Sequence, residues 1–380
     1  MIYFDNAATS YPKPYTVVNA VRKSFNYAAN PGRAGHKLSL KAAESIFLCR
    51  EKIADLINSS DVEKIILMPS CTMALNTVIK GVLQKGDHIV ISSLEHNSVL
   101  RPIKRLYDEG LISYDVADVF EGDDDRTIDS FRKLIKNNTK LCVCTHASNV
   151  FGVKLPVSRL AALCHYYGVL FCLDAAQTIG VTNIDIDDIG ADFLCAPGHK
   201  GLYGPMGTGF LVVNCKELPK QLTEGGTGSS SLLYSQPDVL PDKYESGTLN
   251  LSGINGLSAG IDFVKTRGII NIENREMNFI RYIYDEIKKT KNIELYTNRP
   301  TKNNYVPLLS FNIKDMDCND VSFYLDQKYN IATRSGLHCS PLAHKTYNTE
   351  NLGTVRICPS VFTDVNSVNT LLFAIKSLIK

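Results

Sequence analysis

Val169-Leu170-Phe171-Cys172-Leu173-Asp174-Ala175-Ala176-Gln177, followed downstream by Asp192-Phe193-Leu194-Cys195-Ala196-Pro197-Gly198-His199-Lys200-Gly201-Leu202-Tyr203-Gly204-Pro205, decides how this chain is read. Each stretch carries a short apolar run that gives way to small and polar residues. Unbroken runs of this length, bounded by turn residues, suit strands covered on both faces, as in a parallel sheet. Further runs at 65–68, 88–92, 141–145 and 209–213 alternate with longer helix-period stretches at 42–57, 74–83 and 157–167. That alternation predicts βαβ units and an α/β fold with a mostly parallel sheet flanked by helices. Ligands of such sheets gather at the carboxyl ends of the strands, and Ser70, His96, Asn149 and Asp174 fall at or just after predicted strand ends.

The length of 380 residues, 44% of them hydrophobic, allows a substantial core and two domains. After Leu251 come long helical patterns, a strand near 308–312, a helix near 319–329 and a last helix opened by Asp364, which read as a smaller α+β domain. The expected division is a large domain over 15–260 and a small one over 1–14 and 261–380. Between Thr223 and Asn250 the periodicity gives way to Gly225-Gly226-Thr227-Gly228-Ser229-Ser230-Ser231 and several prolines, a functional loop expected to contact a neighbouring subunit.

A net charge of +2 with 21% charged residues gives no electrostatic case for nucleic acid, and Lys288-Lys289-Thr290-Lys291 reads as a solvated helix end. No apolar run approaches the ~20 residues of a membrane span. The start, Met1-Ile2-Tyr3-Phe4-Asp5-Asn6, does not resemble a secretory signal, so a cytoplasmic location is expected. Of the 11 cysteines, Cys142, Cys144, Cys172 and Cys195 sit in strand-like runs as small hydrophobes, and no cysteine or histidine spacing suggests a metal.

Lys200 and Asp174 together suggest pyridoxal phosphate, which needs a lysine to hold its aldehyde and a carboxylate to keep its ring nitrogen protonated. A lone lysine is usually a solvated charge, and an Asp ending a strand is often a cap. Here Gly198 and Gly201 flank His199-Lys200, as a close backbone approach to a ligand requires. Pro69-Ser70-Cys71-Thr72-Met73-Ala74 follows a strand and opens a helix, offering N–H groups and the Thr72 hydroxyl to a phosphate. His96 suits stacking on an aromatic ring, and Gln177 and Asn149 can each donate to its phenolic oxygen. Near the other end, Cys339 stands in Arg334-Ser335-Gly336-Leu337-His338-Cys339-Ser340-Pro341, a loop setting of the kind a reactive thiolate requires. Arg356 offers a fork for an amino-acid carboxylate, with a surface ion pair as the plainer alternative.

Asp5-Asn6-Ala7-Ala8-Thr9, Asn30-Pro31-Gly32-Arg33 with His36, Glu95-His96, Ser148-Asn149, Asp174-Ala175-Ala176-Gln177, Gly198-His199-Lys200, Gly247-Thr248 and Arg334-Ser335-Gly336-x-His338-Cys339 together resemble the cysteine desulfurases and selenocysteine lyases of aminotransferase class V. The resemblance runs in order over essentially the whole chain, and the short cysteine loop is similar to the Suf-type group. It implies fold type I of the pyridoxal phosphate enzymes and a homodimer. Lys200 would bond the cofactor, Asp174 pair with its ring nitrogen, His96 stack on it and Gln177 meet its phenolic oxygen. Thr72 and His199 would hold the phosphate beside Cys71, with Thr248 reaching in from the other subunit. Arg356 would bind the substrate carboxylate, with Asn149, Arg334 and His338 close to the substrate. Cys339 would accept sulfur from L-cysteine and pass it to an acceptor protein.

Departures from that family's pattern are Cys71 for a usual threonine, Pro197 for a serine or threonine, Met73 for Glu, and the tail Val361-Phe362-Thr363-Asp364. The alternative is a selenocysteine lyase, with L-selenocysteine as substrate and a selenium acceptor, which shares the cofactor and every site residue that the resemblance implies. A non-catalytic sulfur-carrier scaffold has no use for the Lys200 and Asp174 pair.

Overall fold

The computed structural model describes residues 1–31 and 35–379, so Gly32 and Arg33 of the Asn30-Pro31-Gly32-Arg33 segment lie outside the described residues. Its centre is a seven-stranded sheet in the spatial order Ile65–Met68, Gly209–Val213, Phe193–Pro197, Leu170–Asp174, Thr139–Thr145, His88–Ser92, Ser113–Ala117. Gly209–Val213 runs antiparallel to both of its neighbours, and the remaining pairs are parallel.

Strand alternation divides the buried side chains between two cores. Leu67, Val90, Cys142, Cys144, Phe171, Leu173 and Leu194 pack on one face; Ile66, Ile89, Ile91, Leu141, Cys172, Phe193 and Cys195 pack on the other. Both faces are apolar because helices cover both, which is why these strands read as continuous runs. The cysteines in them are space-filling residues. Ser113–Ala117 carries no such run: it is the edge strand, mostly half-buried, and its polar residues hid it from the sequence pattern.

The helices predicted at 42–57, 74–83 and 157–167 are Lys37–Leu56, Cys71–Val82 and Val157–Tyr166. The other open edge of the sheet is closed by a buried ion pair. Arg50 donates to the Ile65 carbonyl at 2.9 Å, and Glu245 accepts the Leu67 N–H at 2.6 Å. The two side chains meet in a fork with both contacts at 2.6 Å. Glu245 belongs to the segment between Gly209–Val213 and the helix Leu251–Arg267, which holds no helix or strand, as the loss of periodicity predicts.

The C-terminal part adds a three-stranded antiparallel sheet in the order Val355–Ile357, Leu309–Ile313, Ile293–Leu295. The helices Ile269–Ile287, Cys318–Tyr329 and Val365–Ser377 contribute to its core, and Asp364 caps the last of them through the Ser367 N–H at 2.7 Å. Ile2–Tyr3 pairs in parallel with Ile331–Ala332, so the start of the chain joins this core through Phe4. The division expected at 260 falls within the helix Leu251–Arg267, whose Ile261 packs with the main core. Among the described residues no helix is long and apolar enough to cross a membrane.

Candidate active site

The carboxyl ends of the central strands and the loop after Ile331–Ala332 enclose a cavity of about 210 Å³. Every residue nominated above for catalysis, cofactor or substrate lines it, except Thr248. Thr248 is exposed and borders two other concavities, of about 540 and 340 Å³, together with Glu245 and Gly247.

Asp174 is the last residue of its strand and almost fully buried. Its Oδ1 accepts the Ala176 N–H at 2.9 Å and the Cys71 thiol at 3.5 Å. Burial pushes its carboxyl above the usual range, against the pull of the Ala176 bond and the Lys200 charge. Burial also pulls the Lys200 amine down, while Asp174 holds it up, and the amine makes no hydrogen bond with the described residues. An amine in that state is primed to bond an aldehyde and to move a proton.

Gly198 and Gly201 serve protein packing, in place of the close approach to a ligand expected of them. A Cβ on Gly198 would come within 2.3 Å of Thr208 Oγ1, and one on Gly201 within 2.3 Å of the Ile179 carbonyl. They let the lysine segment wedge between the segment after Asp174 and the lead-in to Gly209–Val213. The N-terminal segment grips it too: the His199 carbonyl receives the Ser10 N–H at 3.1 Å, the Thr9 and Ser10 hydroxyls at 3.1 Å and Lys13 Nζ at 2.9 Å. No sequence signal singled out Lys13.

Ser70 caps the helix Cys71–Val82 by accepting the Met73 N–H at 3.2 Å. The earlier N–H groups of that first turn have no carbonyl within the helix to bond, which suits an anion. His96 caps the helix Asn97–Asp108, its Nδ1 accepting the Ser98 N–H at 3.0 Å. That bond leaves the proton on Nε2, and burial with the Lys200 charge lowers the ring to about 4, so it is neutral where it lines the cavity. Gln177 already donates to the Ala7 carbonyl at 3.1 Å, with its second amide hydrogen left over.

Arg356 is no surface ion pair. It is 1% exposed and donates from Nη1 to the Asn149 carbonyl at 2.7 Å and from Nη2 to Asp5 at 2.9 Å. Its Nε is buried without a partner, as is His199 Nδ1. Unpaired buried polar atoms are costly, and these two, with His338 Nδ1, fall on three residues lining one cavity; Arg356 Nε, and His199 with its proton on Nδ1, can donate to the oxygens of anionic groups. The residues present therefore fit a phosphorylated ring aldehyde and an amino-acid carboxylate.

Cys339 is the one exposed thiol among the described residues. Its carbonyl accepts the Asn97 N–H at 2.7 Å, and Arg334 Nη2 stands 3.9 Å from its sulfur. His338 and Cys339 both adopt left-handed backbone, with φ of 47° and 59°. For residues bearing a Cβ that costs about 1–2 kcal/mol apiece. The His338 ring is buried, 3.0 Å from the Thr354 carbonyl, and burial lowers it to about 2. The His338 ring therefore stays neutral beside Cys339.

The aminotransferase class-V family model matches residues 2–371. A probable cysteine desulfurase of Methanothermobacter thermautotrophicus is 37% identical over 93% of this chain and 89% of its own. Another, from Pyrococcus abyssi, is 33% identical over 100% of this chain and 94% of its own. Among solved structures, the apo cysteine desulfurase of Thermococcus onnurineus NA1 superposes with a TM-score of 0.91 at 31% identity, covering 100% of this chain and 94% of that one. The cysteine desulfurase CsdA of Escherichia coli, in its S-sulfonic acid form, gives 0.88 at 25% over the same shares. Agreement of this extent, in sequence and backbone alike, places the chain in the aminotransferase class-V family.

Proposed function

We propose that this protein is a pyridoxal phosphate-dependent cysteine desulfurase, converting L-cysteine to L-alanine and carrying the sulfur as a persulfide on Cys339. The observation that carries the reading is the sharing of one cavity by the Lys200 and Asp174 pair and the exposed Cys339. A plain aminotransferase needs the first two and has no need of a thiol at the cavity mouth.

Bound in this cavity, pyridoxal phosphate supplies the electron sink that makes the Cα proton of the substrate removable. Lys200 would bond it, Asp174 would keep its ring nitrogen protonated and His96 would lie against its ring. The backbone N–H groups at Cys71 and Thr72, the Thr72 hydroxyl and His199 would receive its phosphate, and Thr248 of a second subunit would complete that pocket in a homodimer. The second amide hydrogen of Gln177 would be left for the phenolic oxygen. Arg356 would take the substrate carboxylate through the N–H groups that its bonds to Asn149 and Asp5 leave over. Once the substrate amine displaces Lys200, the freed Nζ removes the Cα proton. Cys339, as thiolate, attacks the substrate sulfur, and the S–S bond forms as the Cβ–S bond breaks. The electron pair of the broken bond goes to Cβ, which takes up a proton equal to the one Cys339 gave up on ionising, and Lys200 returns the first proton to Cα as alanine leaves. The persulfide then passes to an acceptor protein. We place the enzyme in the cytoplasm, with the large domain extending from residue 15 to the end of the helix Leu251–Arg267 and the small one formed by 1–14 and the residues after that helix.

Alanine release from L-cysteine and from L-selenocysteine, by the native protein and by Cys339→Ala, tests the reading. Release from cysteine should fall by at least about two orders of magnitude in the variant. Wild-type release from cysteine by Cys339→Ala would overturn it, and selenocysteine turnover that greatly exceeds that of cysteine and survives the substitution would make the protein a selenocysteine lyase.

A further inference from the structure

Asn149 lines the cavity just past the strand Thr139–Thr145, where a contact with cofactor or substrate is expected. Its side chain is committed elsewhere. Nδ2 donates to the His338 carbonyl at 2.8 Å, and Oδ1 accepts from Ser340 Oγ at 2.6 Å. Donor and acceptor thus grip the residues immediately before and after Cys339. The amide's orientation follows from those partners, since a carbonyl accepts only from the nitrogen and the hydroxyl donates to the oxygen.

The loop needs such a grip. Two consecutive residues with a Cβ hold left-handed backbone at His338 and Cys339, and backbone of that kind persists only where its surroundings over-determine it. Beyond the Asn97 N–H on the Cys339 carbonyl, Asn149 is the side chain among the described residues that binds the loop on both sides of the sulfur. Its own carbonyl receives Arg356 Nη1, so the clamp is anchored to the guanidinium assigned to the substrate carboxylate.

We propose that Asn149 is the positioning residue of the sulfur-accepting loop, a two-point clamp that holds Cys339 where the substrate sulfur arrives. The inference rests on the desulfurase reading for its purpose, though the clamp itself can be tested without turnover. The experiment compares holoenzyme with Asn149→Ala and Ser340→Ala by three readouts: the rate at which iodoacetamide alkylates Cys339, the cofactor's absorbance and dissociation constant, and the split of kcat from KM with L-cysteine. Opening the clamp should raise alkylation on the order of fivefold in Asn149→Ala and by less in Ser340→Ala, which loses one of the two bonds. kcat should fall with KM and cofactor affinity unchanged.

Unchanged or slower alkylation, or a loss of cofactor affinity or a rise in KM in its place, would show that Asn149 serves the ligands and overturn the clamp. If Asn149→Ala does not fold, Ser340→Ala carries the decision, because it leaves Asn149 itself intact. Faster alkylation in a protein that makes no alanine from cysteine would support the clamp and sink the desulfurase reading.

Discussion

The guanidinium of Arg356 donates to the carboxylate of Asp5 at 2.9 Å across nearly the whole length of the chain, and the arginine is 1% exposed. The charge assigned to the substrate carboxylate is therefore already paired with the N-terminal segment, which also grips the lysine segment through His199. Removing Asp5 would leave a buried cation with one charge partner fewer. Asp5→Ala should lose about 3 kcal/mol in urea unfolding, and Asp5→Asn, which keeps the acceptor, should lose less.

Lys200→Ala should abolish the yellow colour that borohydride bleaches in the native protein, and lower alanine production by roughly 10²–10⁴. The cofactor-free variant should melt no lower than the cofactor-free native protein. The amine makes no hydrogen bond with the described residues, and its burial disfavours its own charge.

Glu276 is buried against the Tyr203 hydroxyl at 3.4 Å, and burial pushes its carboxyl up to about 8. A carboxyl whose pKa is raised on folding holds its proton longer in the native state than in the unfolded one. Its contribution is full below about 4.5, the ordinary value, and is lost as the pH rises toward about 8. The urea midpoint of the native protein should accordingly drop between pH 5 and pH 8 relative to Glu276→Gln, which cannot ionise. Parallel midpoints across that range would refute the assignment.

Glu245 and Arg50 close the sheet edge three residues before Thr248. Glu245→Ala leaves Arg50 buried without its carboxylate and the Leu67 N–H without an acceptor, and should cost about 3–5 kcal/mol. Amide exchange at Leu67 should speed up in that variant. If Thr248 completes the partner's phosphate pocket, cofactor affinity should fall as well.

Much of the central sheet was legible because its strands are covered on both faces. Burial on two sides demands apolar residues at every position, and the runs ending at Asp174 and Pro197 announce themselves. Ser113–Ala117, with one edge and polar side chains facing outward, did not. The chemistry at Lys200 and Cys339 was legible from residue type and local setting. The reasons for the glycines were not: Gly198 and Gly201 face Thr208 and Ile179, contacts made by parts of the chain that no local pattern connects.

The sequence alone determined the sheet class, the lysine and carboxylate pair and the loop cysteine, since each depends on residue type and near neighbours. Only the tertiary structure decided that Arg356 is buried against Asp5, that His338 stays neutral, and that Asn149 spends its amide on the two neighbours of Cys339. Those outcomes depend on desolvation and on hydrogen bonds between residues far apart in the chain, and neither is set until the two cores have packed.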